Sequence, residues 1–328
     1  LPPVLGAVLS LVGSIPSPSS KSIHIGPLQL RFYGLMIALG VIAAVWLAQR
    51  RWERRGGDPD DISALAMWGV PAGLVGARLY HVATDWKSFE GRWFDVVKVW
   101  QGGLGIPGGM FLGLLVGAYV ARKRGMSIAG ALDACVPALP LAQAIGRAGN
   151  YFNQELFGRP TNLPWGLRID PQYRPLQYLD RTTFQPTFLY EALWNLALCA
   201  LLLWLDSRRI VRRGRLVGVY MLGYGIGRLI VESMRIDPAS HIFGLRVNIW
   251  TSLILIIGGI AVIRFDRAQG DPDGGIDTFD DVLADTEADT DTDTDADVDT
   301  DADVDTDEVE LMTDAPVQAT AADRDIDR

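Results

Sequence analysis

Residues 207–235 read SRRIVRRGRLVGVYMLGYGIGRLIVESMR. Five arginines crowd between Arg208 and Arg215, and from Leu216 to Met234 the only charges are Arg228 and Glu232. A helix needs roughly 20 mostly apolar residues to cross the hydrocarbon core of a bilayer. Inside lipid, a helix satisfies every backbone N–H and C=O without water. The stretch therefore predicts a spanning helix over about 216–234, and the same pattern recurs at about 30–49, 62–83, 104–121, 130–147, 186–206 and 247–265. The expected fold is all-α, a polytopic membrane protein with seven transmembrane helices.

Orientation follows from Lys and Arg in the short connections. The basic cluster Arg208–Arg215 has counterparts in Arg50-Arg51-Trp52-Glu53-Arg54-Arg55 and Arg122-Lys123-Arg124. All three lie in odd-numbered connections, which predicts that these face the cytoplasm, with the N-terminus outside and the C-terminus inside. Residues 148–185, rich in Pro, Trp and Arg, are then a long extracytoplasmic loop of the kind that carries function. Three regions are expected: an interfacial segment over 1–29, a transmembrane domain over 30–268, and an acidic tail over 269–328. The opening stretch LPPVLGAVLSLVG lacks a basic flank and is too short to span, so it is expected to lie on or dip into the membrane.

Residues 271–328 hold 23 acidic side chains and 2 arginines, about −21, whereas the whole chain carries −9. The body is therefore basic, and the sequence pI near 4.9 is a property of the tail. With almost no aromatics and alternating Asp and Thr, the tail is expected to be disordered. Cys135 and Cys199 sit in apolar runs and read as small buried side chains rather than a disulfide. The histidines, His24, His81 and His241, are scattered, so no metal site is expected.

Charges inside lipid cost roughly 2.5–3.5 kcal/mol each on the insertion scale and so mark function. Arg78 ends the second span beside Tyr80 and His81, Arg147 ends the fourth, and Arg228 and Glu232 share one face of the sixth. The topology brings Arg147 and Arg228 to similar depth at the outer leaflet, where two planar guanidiniums suit a lipid phosphate. The bland alternative is that Arg228 pairs only with Glu232 while Arg147 snorkels at a helix end. The densest polar run, Gly146-Arg147-Ala148-Gly149-Asn150-Tyr151-Phe152-Asn153-Gln154-Glu155-Leu156-Phe157-Gly158, has glycines for close approach or positive φ. It is not a phosphate loop of the Walker type, which needs Gly-Lys-Ser/Thr after a strand.

That run resembles the diagnostic motif of the prolipoprotein diacylglyceryl transferases, and the resemblance extends over about 250 residues. Arg31-Phe32-Tyr33-Gly34-Leu35-Met36, Gly76-Ala77-Arg78-Leu79-Tyr80, Trp100-Gln101-Gly102-Gly103-Leu104, Asp133, Gln185-Pro186-Thr187-Phe188-Leu189-Tyr190-Glu191 and Gly223-Tyr224-Gly225-Ile226-Gly227-Arg228 complete it. The resemblance implies a multi-pass inner-membrane enzyme without cofactor. Such an enzyme moves the sn-1,2-diacylglyceryl group of phosphatidylglycerol to the lipobox cysteine of a preprolipoprotein and releases glycerol 1-phosphate. Its partners would be phosphatidylglycerol, lipobox peptides and membrane lipids, with no nucleic acid. By resemblance, Arg147 and Arg228 contact the headgroup, Asn150, Glu155 and Gly158 shape the site, Glu232 orients Arg228, Tyr33 faces the cavity, and Arg78 is a lesser candidate.

Two positions depart from the family pattern. Pro107 stands where many members carry a histidine, and Gln185 replaces the histidine of a His-Pro pair. Two other readings use the same residues. One is a transporter of an anionic substrate, disfavoured by the lack of an internal repeat and by arginines gathered at one face. The other is an inactive paralogue that binds lipid.

Overall fold

The computed structural model describes residues 14–26, 28–99 and 102–264. Residues 1–13 of the expected interfacial segment 1–29, together with Pro27, Trp100-Gln101 and the acidic tail, fall outside the described residues. Among the described residues eight α-helices follow one another: α1 Phe32–Glu53, α2 Pro59–Thr84, α3 Ile106–Lys123, α4 Ile128–Cys135, α5 Ala138–Asn153, α6 Thr187–Ser207, α7 Leu216–Met234 and α8 Val247–Arg264. The described residues also hold short 3-10 turns in the 85–105 and 154–186 connections and three two-stranded antiparallel ribbons: β1 Ser22–Ile25 with β2 Leu28–Arg31, β3 Leu167–Arg168 with β4 Thr183–Phe184, and β5 His241–Ile242 with β6 Leu245–Arg246.

The distribution of side chains is inverted relative to a water-soluble bundle. Ile42, Met67, Phe111 and Ile254 lie more than 60% exposed, while Thr187, Glu191, Asn195 and Ser252 are buried between helices. Large apolar groups facing out and small or polar groups facing in is the arrangement that lipid selects. Among the described residues six helical stretches are long and apolar enough to cross a membrane, and this is a multi-pass membrane protein. One of the six, 128–153, is α4 and α5 in succession. It breaks at Val136-Pro137, where proline supplies no N–H to continue the ladder. The seventh segment expected from sequence corresponds to α3, whose glycine-rich start and Arg122-Lys123 end dilute its apolar character.

Helix pairs close by small-residue contact. A Cβ on Gly76 would collide with the backbone of Gly108, and Gly69 faces Gly113, so α2 and α3 run antiparallel with backbones touching. Gly40 against Ala142 sets α1 antiparallel to α5, and Gly218 against Gly259 does the same for α7 and α8. Helix starts are explicit where water is near. Asp58 caps α2 by accepting from Asp60 N at 2.9 Å, with Pro59 in the first turn, and Ser127 caps α4.

The segment 154–186 folds into a small unit packed around Phe157, Leu167, Ile169 and Phe184. Residues 14–17 join it, through Ile15 bridged to Leu167 and Ser17 Oγ donating to Arg168 O. One boundary differs from expectation. Arg147 does not end its helix: α5 continues through Asn153 and stops at Gln154, which takes φ +52°. Gly149 therefore serves close approach, because a Cβ there would stand 2.7 Å from the Tyr33 ring.

Candidate functional site

Four helix ends meet beneath that small unit. The last two turns of α5 bring Arg147, the second turn of α6 brings Glu191, the last turns of α7 bring Arg228 and Glu232, and the first turn of α1 brings Tyr33. Glu191 is the hub. Its Oε1 lies 2.5 Å from Arg147 Nη2 and 3.4 Å from Arg228 Nη1. The two arginines predicted to converge thus share one carboxylate, which is 4% exposed. Arg228 then reaches Glu232 Oε2 at 3.0 Å, the i, i+4 pair read from the sequence.

Glu232 is 2% exposed and so requires compensation. Arg246 Nε meets its Oε1 at 2.5 Å, Asn248 Nδ2 donates to the same oxygen at 3.2 Å, and Arg235 Nη1 stands 3.6 Å from Oε2. Arg235 and Arg246 both also grip Asp237, at 2.7 and 3.2 Å. Burial would raise the Asp237 carboxyl, but the Arg235 hydrogen bonds and the charges of Arg235 and Arg246 hold it below the usual carboxylate range.

On the other flank, Arg147 Nη1 donates to Asn150 Oδ1 at 3.2 Å, and Asn150 Nδ2 donates to Glu155 Oε1 at 2.9 Å. Asn153 Nδ2 reaches the same oxygen at 3.1 Å. This fold-back is possible because Gln154 and Leu156 take positive φ, returning the chain over the end of α5. Gly158 is a packing position: its N–H donates to Gln185 O at 2.9 Å, and a Cβ would press on Met234 O and Thr187 at 3.0 Å. Arg147 and Arg228 retain 20% and 12% side-chain exposure. Each has N–H donors beyond those named, since a guanidinium carries five. The arrangement is a preformed, partly neutralised pair of forks able to take an oxyanion between them.

Arg78 lies elsewhere in role. It is 6% exposed and donates to four carbonyls, Val96 O at 2.8 Å, Asp95 O at 2.5 Å, Gly102 O at 2.6 Å and Gly103 O at 3.0 Å. Its guanidinium ties the 85–105 connection to α2 and makes no hydrogen bond or ion pair with the Arg147–Glu191–Arg228 chain. His81 packs edge-on to Phe89 and against Gly103. Pro107 sits in the first turn of α3, and Gln185 is a neutral amide whose Oε1 is buried without a hydrogen-bond partner. Cys135 and Cys199 are free thiols away from this chain of charges.

Sequence reading gave no role to Glu191, Arg246, Asp237 or Asn248. Glu191 was within reach, since a glutamate one turn inside a span is as anomalous as the arginines. The other three pair across the 235–246 connection, where no periodicity applies.

The sequence profile of a family described as prolipoprotein diacylglyceryl transferase matches residues 20–265. The chain is 49% identical over 263 residues to a phosphatidylglycerol--prolipoprotein diacylglyceryl transferase of Frankia alni, covering 79% of this chain and 69% of that one. It is 48% identical over 253 residues to such a transferase, numbered 2, of Streptomyces coelicolor, covering 76% and 80%. To the Cutibacterium acnes protein of the same name it is 45% identical over 253 residues, covering 76% and 86%.

Proposed function

The chain belongs to the prolipoprotein diacylglyceryl transferase family, and we propose from that premise that the Arg147–Glu191–Arg228 cluster is where phosphatidylglycerol gives up its diacylglyceryl group to a prolipoprotein. The observation that carries the assignment is the sharing of Glu191 by two guanidiniums from different helices. A phosphodiester placed between them is gripped as its negative charge rises from one toward two.

The transfer breaks the glyceryl C–O bond on the phosphate side of the diacylglyceryl group and forms a C–S bond to the lipobox cysteine of the substrate. The electron pair leaves with the phosphate of sn-glycerol 1-phosphate. Nearby guanidiniums favour the substrate thiolate and hold the developing phosphate charge in a site largely closed to water. The thiol proton passes to a non-bridging phosphate oxygen as the C–S bond forms and the C–O bond breaks, and it leaves on the monoester, whose second pKa is about 6. With Pro107 and Gln185 at the family histidine positions, this accounts for proton balance without a histidine there. Tyr33, stacked over Gly149, closes the cluster on the α1 side, while Asn150 and Glu155 hold Arg147 at the correct angle. Glu232 positions Arg228, and Gly158 fixes the chain above the site. Arg78 contributes by shaping the adjacent connection.

Counting α3 as a seventh span puts the basic connections 50–58, 122–127 and 208–215 on one side. The positive-inside rule makes that side cytoplasmic. The site then faces outward with the N-terminus, and the tail after residue 268 is cytoplasmic. That geometry suits a cell-membrane enzyme whose lipid donor and secreted substrate meet at the outer leaflet. A transporter reading gains no support, because among the described residues the buried charges gather at the two ends of the bundle rather than along a midplane path.

The experiment is direct. Purified full-length protein, phosphatidylglycerol and a lipobox peptide should yield a peptide heavier by one diacylglyceryl group, and none when the cysteine is serine. Arg147→Ala should lower the rate by about 10³ or more, the scale of losing a transition-state charge partner. Full activity in that variant would remove Arg147 from the site.

A further inference from the structure

At the end of the bundle opposite the site, the last turns of α1 and α6 and the 208–213 connection enclose a cleft of about 900 Å³. Its floor is built from fixed charges. Arg51, 7% exposed, donates to Ala134 O at 3.1 Å, Asp133 O at 2.8 Å and Asp206 Oδ2 at 3.0 Å. Arg55 takes the other Asp206 oxygen at 2.6 Å. Asp133 is 2% exposed; Gly214 N donates to its Oδ2 at 2.6 Å, while its Oδ1 is buried without a hydrogen-bond partner. Asp206 thus holds both floor arginines, and the exposed Arg50 and Arg54 line the same cleft.

The rim and flanks have a different character. Arg50 and Arg54 are exposed, and the Arg50 guanidinium lies 5.2 Å from the centre of the Trp46 ring. Trp46 and Trp204 both line the cleft and are 54% and 51% exposed. Tryptophans gather at headgroup level in membranes. One turn deeper, α1 and α6 present Ile42 and Leu201 to lipid.

We propose that this cleft binds the phosphate of an anionic phospholipid, with acyl chains lying along the Ile42 and Leu201 faces. It is a second lipid site, distinct from the Arg147–Arg228 pair. Glu191 and Asp206 stand on the same helix, 15 residues and roughly 22 Å apart at 1.5 Å per residue. Basic residues at a helix end are expected from topology alone. Topology, however, counts charges and does not require a floor of carboxylate-held arginines between two segments 150 residues apart in sequence. The volume far exceeds that of a lone phosphate and falls in the roughly 300–1,000 Å³ range of small-molecule sites.

The test uses full-length protein in phosphatidylcholine nanodiscs titrated with brominated phosphatidic acid, which lacks the glycerol headgroup of the transferase donor. Indole quenching reports the lipid, with brominated phosphatidylcholine as baseline. Quenching should saturate preferentially with phosphatidic acid. Arg50→Gln/Arg54→Gln should weaken it on the order of twentyfold, since each basic residue at an anionic surface is worth about a fivefold change. Arg122→Gln/Lys123→Gln, exposed at the same end but outside the cleft, should change it less than about threefold. Retained peptide modification shows the rim variant is folded. No preference for phosphatidic acid, or equal weakening by both double variants, would overturn the proposal. So would displacement by millimolar inorganic phosphate beyond that by chloride of equal ionic strength, which assigns the cleft to free phosphate.

Discussion

The two ends of the bundle use the same residue type in opposite ways. At the site end, Arg147, Arg228, Arg235 and Arg246 interleave with Glu191, Glu232 and Asp237, and nearly every guanidinium contact named is to a carboxylate. At the other end, Arg51 and Arg55 share Asp206 on the floor of an open cleft, and Arg50 and Arg54 stand exposed at its rim. Depth explains the contrast. Between helices an isolated charge is costly and must be matched, so the network is nearly neutral and its value is geometric: it fixes where two forks point. Near headgroups and water, excess charge is screened within about a Debye length and can be left as a field for an anion.

That contrast breaks most severely at Glu232. Replacing it with glutamine removes the most buried carboxylate of the network, leaving Arg228 only Glu191 and leaving Arg235 and Arg246 only the less buried Asp237, and removing one member of such a set costs about 3–5 kcal/mol. A lowered melting temperature and poor recovery from detergent are expected. If the variant melts like the parent, the arginines have found other partners and the network is not what holds the α7–α8 end. Glu191→Gln is expected to be milder for stability and sharper for catalysis. It preserves shape but removes the shared anion, so the two guanidiniums repel and separate. Misplacement by about 1 Å costs on the order of 10² in rate. The fall should be in kcat, measured with the peptide assay. A lower KM for phosphatidylglycerol at unchanged kcat would mean that Glu191 only competes with the lipid.

Much of the site end was legible in sequence because lipid makes charge conspicuous. Arg147, Arg228 and Glu232 stand out in apolar runs, and a four-residue spacing already pairs two of them. What could not be read was partnership across the fold. Arg78 has the same credentials as Arg147, an arginine near the end of a span, yet four backbone carbonyls hold it. Helix ends were blurred for a related reason. Gly146 and Gly149 allow either positive φ or close approach by sequence; in the fold they are contact points, and α5 runs on past both. The opposite end was read as topology alone, since nothing in RRWERR announces that Arg51 and Arg55 reach Asp206.

Arg78→Gln separates the two arginine roles at the site end. Losing donors to carbonyls in a connection partly open to water should cost about 1–3 kcal/mol. The 85–105 segment should become more sensitive to protease, while the transfer rate falls by less than about tenfold. A loss as large as that of Arg147→Ala would move Arg78 into the site.

The smallest effect is expected at Pro107. If the reaction lacks a base in this chain, restoring the family histidine with Pro107→His should raise the rate by 10² or more, the lower bound of general-base catalysis. The geometry argues otherwise. Two guanidiniums that favour the thiolate and a phosphate monoester that takes up its proton leave little for an imidazole to do. Proline is also well suited to its place, since in the first turn of α3 its missing N–H has no intrahelical acceptor to lose. The variant should therefore stay within about threefold of the parent near neutral pH, well under the gain a needed base would give. An imidazole that did carry the proton would add a rise in rate across its own titration, near pH 6.5, absent from the parent. A pH–rate profile that gains that limb would show that charge at the Arg147–Arg228 pair is not sufficient to activate the thiol.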